Sequence, residues 1–182
     1  MNFCSNCGHS PLEERQAVGD NRARIFCPNC GVVHYQNPKI VSGCLIIHEG
    51  KILLGKRGIE PRKGTWNVPA GFMENHETLQ EGAAREVWEE VRARVEIQQL
   101  HTVYNILHVN QVYCLFLAKL TTPIFEAAEE TAEVRLFGLD EIPWDDLAFH
   151  SNVFSIEQYI KNPSFKGVHY GNNRDCMTDS KP

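Results

Sequence analysis

"GFMENHETLQEGAAREVWEEVRARV", Gly71–Val95, opens on a glycine-led loop and runs into a charged helical pattern. At 100° per residue, Leu79, Ala83, Val87 and Val91 recur every fourth position and form one apolar stripe, which Ala84 and Trp88 widen. The pattern predicts a helix over about 77–91. Glu86, Glu89 and Glu90 are three and four residues apart, so they crowd onto another side of that helix. Like charges at this spacing destabilise a helix by a few tenths of a kcal/mol per pair, roughly. Arg85, four residues before Glu89, offsets part of the repulsion. A divalent cation would offset the rest, because Mg²⁺ takes carboxylate oxygens, water and phosphate as ligands. On "REVWEE" alone, a solvated acidic face is the simpler reading.

The flanks read as sheet. "IVSGCLIIHEGKILLGKRG" (40–58) gives two apolar strands around the turn "HEGK". "GTWNVPAGF" (64–72) is extended, and its Trp66 is expected to pack rather than to stack on a base. "VEIQQLHTVYNIL" and "NQVYCLFLAKL" read as further strands, and "EVRLFGLDEIP" as a strand and turn after an acidic segment. "NVFSIEQYIK" (152–161) has the pattern of an amphipathic helix. From 163 onward the chain is polar, and a mobile tail over 163–182 is the expectation.

Four of the seven cysteines fall in the first thirty residues. "CSNC" and "CPNC" are two C-x-x-C knuckles with nineteen residues between Cys7 and Cys27. Cys4, Cys7, Cys27 and Cys30 therefore suit one closed, structural zinc site of four thiolates. A glycine follows each knuckle and tolerates the positive φ that turns backbone amides toward sulfur. Two disulfides or a redox pair are the competing readings. The opening "MNFCSNCGHS" carries no leader pattern, and two knuckles frame one short hairpin, so both are set aside. His34 stands nearby, but four cysteines already complete the set. Cys44 and Cys114 lie in apolar runs and are expected in the core.

The 182 residues, 42% apolar and 23% charged, are enough for one ordinary core and a small appendage. The division expected is a zinc ribbon over 1–36, a main domain over 37–162 and the tail, with "YQNPK" (35–39) as linker. A net charge of −5 argues against general affinity for nucleic acid or anionic membrane. Residues 1–39 set four basic side chains against three acidic ones, a weak footprint for nucleic acid. No apolar run approaches the roughly 20 residues of a membrane span. A cytoplasmic location is the expectation.

Gly71, five residues, Glu77, seven residues and then "REVWEE" resembles the signature box of the Nudix hydrolases, G-x5-E-x7-R-E-U-x-E-E-x-G-U, with U aliphatic. The end departs from it: Arg92 replaces the late glycine and Ala93 follows. In the family box a glycine at this place suits a helix end with positive φ, which Arg92 has to supply here. The resemblance covers about residues 39–160. It implies an α/β fold, the Nudix α/β/α sandwich with a mixed sheet, preceded here by the small zinc ribbon. It implies Mg²⁺ or Mn²⁺, two to three per site, held by Glu86, Glu89, Glu90 and the Ala70 carbonyl, with Glu133 at a position that can join them. Arg85 and Glu77 complete the catalytic helix, Glu77 bracing the loop. Glu129 or Glu130 is the candidate general base, and Arg57 the candidate phosphate contact, though an exposed strand-end arginine reads as well.

The domain order is similar to a Nudix group that includes plant plastid FAD/ADP-ribose pyrophosphatases. NADH pyrophosphatases also carry the ribbon, but their SQPWPFP-type motif has no counterpart in "LHTVYNILHVNQVYC" (100–114). The resemblance therefore implies hydrolysis of a nucleoside diphosphate linked to another moiety, FAD or ADP-ribose before NADH or nucleoside triphosphates. The substrate is a small nucleotide and a homodimer is a possible assembly. A non-catalytic nucleotide sensor is the reading from another class, although such proteins tend to lose box carboxylates and this chain keeps them. A nucleic-acid-binding ribbon is the third.

Overall fold

The computed structural model describes residues 1–16 and 18–174. Two compact units meet between Asn37 and Pro38, inside "YQNPK". The first carries three short antiparallel strands, β1 (Glu13–Gln16), β2 (Ala23–Phe26) and β3 (Val33–His34). Arg15 lies over the Phe26 ring at 3.2 Å, covering an apolar face too small to bury itself.

The second unit is a mixed sheet between helices. Its strands are β4 (Lys39–His48), β5 (Lys51–Arg57), β6 (Trp66–Asn67), β7 (Ala70–Phe72), then, after helix α1 (Leu79–Val91), β8 (Val95–Ile106), β9 (Gln111–Leu120) and β10 (Thr131–Phe137). Helix α2 (His150–Lys161) and strand β11 (His169–Asn172) follow. The main order is β10-β5-β4-β9-β8-β11, with β6 on β5 and β7 on β4. β4 runs parallel to β9 and β11 parallel to β8, and the other pairs are antiparallel.

Alternation along the central strands builds two cores. Cys44, Ile46, Leu53, Phe116 and Ala118 face one way and pack with Ala83, Val87 and Val91 of α1. Leu45, Ile52, Leu54, Leu115 and Leu117 face the other way and pack with Ile156 of α2. A strand covered on both faces reads as an unbroken apolar run, which is why "VSGCLI" shows no period of two. Trp66 is buried edge-on to Phe137, centroids 4.7 Å apart.

Three expectations need correction. The helix starts at Leu79 rather than 77, because Thr78 caps it: its Oγ accepts from the Glu81 amide, and the Glu81 carboxylate accepts from the Thr78 amide. Trp88 does not widen the core stripe; it is exposed, with the Arg94 guanidinium 4.9 Å from its ring. The segment from 163, expected to be mobile, supplies β11 at the sheet edge. Backbone pairing holds that strand without an apolar pattern, while Gly171 lets Tyr104 and Phe154 approach closer than a Cβ would allow. The tail beyond Arg174 lies outside the described residues.

Candidate active site

β7 lies antiparallel to β4, with Gly43 opposite Ala70 and Ser42 opposite Gly71. α1 crosses above it. The Glu86 carboxyl rests directly against the Gly71 Cα, and a Cβ at residue 71 would collide with it. Glycine is needed here for close approach. The Ala70 amide donates to Glu90 Oε2 at 3.3 Å, so the box loop and the helix meet at two carboxylates.

Arg85 organises the acid. Its Nε and Nη2 donate to the two Glu77 oxygens at 3.0 and 2.8 Å, Nη1 to Glu86 at 2.7 Å and to Glu89 at 3.0 Å, and Nη2 also to the Phe72 carbonyl at 3.0 Å. Glu77 accepts in addition from the Glu74 amide at 2.6 Å. Arg85, then that amide, hold the Glu77 carboxyl down to about 2. Glu77 thus ties the loop to the helix.

Glu90 is placed otherwise. Burial, then the neighbouring Glu86 charge, push its carboxyl up to about 8, and Arg57 acts on it only through space. Burial also raises Glu86, against the pull of Arg85. Glu86, paired with Arg85, and the desolvated Glu90 form a hard oxygen donor set, the chemistry that suits Mg²⁺ or Mn²⁺. Among the described residues, only the four cysteines bring three or more His, Cys, Asp or Glu ligand atoms within 4.8 Å of one another. Glu86 and Glu89 are drawn to Arg85, so the three glutamates do not converge on a point.

These carboxylates form one wall of a cavity of about 850 Å³, large enough for a nucleotide. Arg57 and Glu130 line it, Arg57 with its guanidinium 5.4 Å from the Phe149 ring and its Nε donating to the Pro61 carbonyl at 2.7 Å. Glu130 bears on Glu90 electrostatically. Glu129 is not among the lining residues. Glu133 is not among the cavity-lining residues; it is half-exposed, 3.9 Å from Lys56 and next to a bulge between Thr131 and Glu133.

The opposite wall escaped the reading of the sequence. Tyr104 pairs with Tyr113 and Ile106 with Gln111 across the β8–β9 hairpin, and all four line the cavity. Period two in "TVYNI" and "QVYCL" carried that signal. Phe149 and His150 enter from the start of α2, and His108 and Asn173 from the hairpin tip and the end of β11.

The zinc-site cysteines stand in the first unit. Cys4 and Cys30 sulfurs are 3.6 Å apart, as are those of Cys7 and Cys27. Four Zn–S bonds of about 2.3 Å in a tetrahedron place sulfurs at nearly that separation. Gly8 and Gly31 close the knuckles at φ 71° and 76°, donating to the Cys4 and Cys27 carbonyls at 2.9 Å. The Val32 amide and the Asn6 side chain hold the Cys30 thiol down to about 6; Asn29 and the His9 amide lower Cys7. The four thiols fit Zn²⁺, and His34 is not needed.

A protein-family model described as NUDIX domain matches residues 37–155, and one described as Nudix N-terminal, a zinc ribbon, matches residues 2–36. A crystal structure of a NUDIX hydrolase from Nitrosomonas europaea is 48% identical, with a TM-score of 0.89 over 94% of this chain and 98% of that one. The NAD-capped RNA hydrolase NudC of Stutzerimonas stutzeri (strain A1501) is 30% identical over 78% of this chain and 49% of its own length. An ADP-ribose pyrophosphatase of Methanocaldococcus jannaschii is 30% identical over 70% of this chain and 76% of its own length. The chain spans 64%, 33% and 49% of the length of three of the curated relatives that it matches.

Proposed function

The chain belongs to the Nudix hydrolase family, and on that premise we propose that it hydrolyses the pyrophosphate bond of a nucleoside diphosphate linked to a second group, ADP-ribose or FAD foremost. The observation that carries this reading is the cavity of about 850 Å³ with the half-buried Glu86 and Glu90 on one wall and aromatic side chains on the other. One wall suits a metal-neutralised pyrophosphate and the other an aromatic or sugar moiety.

Glu86, Glu89, Glu90 and the Ala70 carbonyl would hold Mg²⁺ or Mn²⁺, two to three ions when substrate is bound. Such ions neutralise the phosphates and lower the pKa of bound water. Arg57, which lines the same cavity, would contact the phosphates. Arg85 and Glu77 keep the helix and loop in register, so that Glu86 and Glu90 stay together on the wall that would hold the metal. Glu130, which lines the cavity, is the candidate to accept a proton from the attacking water. The P–O–P bond breaks, the water oxygen joins one phosphorus, and the departing phosphate monoester leaves as the second product.

NADH is the second reading. The missing SQPWPFP-type motif speaks against it. The similarity to a NAD-capped RNA hydrolase speaks for it. Comparing kcat/KM for ADP-ribose, FAD, NADH and nucleoside triphosphates decides, because that ratio measures discrimination. ADP-ribose or FAD should lead. A tenfold lead for NADH or a triphosphate, about 1.4 kcal/mol of transition-state preference, would overturn the assignment.

A further inference from the structure

Asn173 directly follows β11 and is buried. Its backbone amide donates to the Asn105 carbonyl at 3.2 Å, continuing the β8–β11 pairing beyond Asn172. Its side chain bridges two groups of the hairpin tip. Oδ1 accepts from the Leu107 amide at 2.9 Å, and Nδ2 lies 2.7 Å from His108 Nδ1.

The first bond settles the second. A backbone N–H can only donate, so the oxygen of the Asn173 amide must face Leu107. Its NH₂ therefore faces His108, and Nδ1 must accept. A neutral imidazole that accepts at Nδ1 carries its proton on Nε2. No hydrogen-bond partner of Nε2 is found among the described residues, and His108 lines the cavity.

The sheet register gives its distance from the chemistry. Val41 pairs with Phe72, beside Gly71, and also with Tyr113 on its other edge. Gln111 is two residues nearer the hairpin tip, about 7 Å along the strand. His108 lies beyond it, past the row that carries the carboxylates.

We propose that His108 is a specificity residue, donating its Nε2–H to an acceptor oxygen on the group that the pyrophosphate carries, and that Asn173 is the positioning residue that fixes the donor tautomer. This rests on the pyrophosphatase reading above. The residue after the last strand thereby sets substrate choice at the tip of the β8–β9 hairpin, 65 residues away in sequence.

The test has three arms. With ADP-ribose as probe, His108→Ala raises KM about tenfold, with the loss falling on KM rather than kcat. His108→Gln, whose amide NH₂ reaches where Nε2 stands, restores most of it, and Asn173→Ala reproduces the loss. Nitrogen-15 histidine NMR of the intact chain shows His108 as the Nε2–H tautomer in wild type and a mixture in Asn173→Ala. An unchanged KM in His108→Ala, a Gln variant as weak as the Ala variant, or an Nδ1–H tautomer in wild type overturns the proposal. A wild type inactive on every pyrophosphate offered brings down the pyrophosphatase reading instead, a result separate from all three.

Discussion

Arg85 resolves the crowding of acid by taking Glu77, Glu86 and Glu89 together, and among the described residues the box carboxylate Glu90 has no ion pair. Glu90 and Glu77 should answer pH with opposite signs. The Glu90 carboxyl is raised to about 8, so its contribution to metal-free stability is complete below its ordinary 4.5 and lost as pH rises through 8. Glu90→Gln removes that loss. Metal-free Glu90→Gln should exceed wild type in Tm by more at pH 8.5 than at pH 5, at about 2–4 °C per kcal/mol for a chain of this size. Its turnover should fall at least about a hundredfold, because several kcal/mol of charge stabilisation goes with the metal. Glu77 is held at about 2, so its contribution is complete above 4.5 and lost as pH falls toward 2. The Tm deficit of Glu77→Gln should therefore shrink below pH 4.5 in calorimetric scans, and a constant deficit would contradict the Arg85 bridge. Gly71→Ala should cost turnover as Glu90→Gln does while the chain stays folded, since the added methyl displaces Glu86.

Arg92 stands where the family box has glycine, and the helix still ends there. Arg92 adopts the left-handed conformation, φ 50° and ψ 23°, donating its amide to the Trp88 carbonyl at 3.1 Å and a guanidinium N–H to the same carbonyl at 3.2 Å. The fold fixes the turn, and the residue accepts the strain, about 1–2 kcal/mol for a non-glycine side chain. Arg92→Gly should raise Tm by a few degrees and leave kcat unchanged; a lowered Tm would mean that the Arg92–Trp88 contact outweighs the strain. At this scale the sequence was legible where a period or a fixed spacing existed. The stripe Ala83–Val87–Val91, the two C-x-x-C knuckles and the paired apolar strands all carried their own signal. The edge strand β11 did not: bare backbone pairing holds it and leaves no pattern in composition. The cavity's far wall depends on cross-strand partners such as Tyr104 and Tyr113, which no local window joins.

In the molecule as a whole, the two units rest on different physics. The first has too little apolar surface for a core and gathers four thiols, while the second buries two cores on the faces of one sheet. Elemental analysis should find one zinc per chain in wild type and none in Cys27→Ser, and well-folded wild type without zinc, or with a Cys4–Cys7 disulfide, would contradict the thiolate site. The catalytic account rests on Glu90 and its cavity. The most direct measurement is chromatography of the products from ADP-ribose with Mg²⁺, wild type beside Glu90→Gln. The account predicts AMP and ribose 5-phosphate from wild type and intact ADP-ribose from the variant. Intact substrate in both lanes, inorganic phosphate as the product, or equal cleavage by the variant would contradict it.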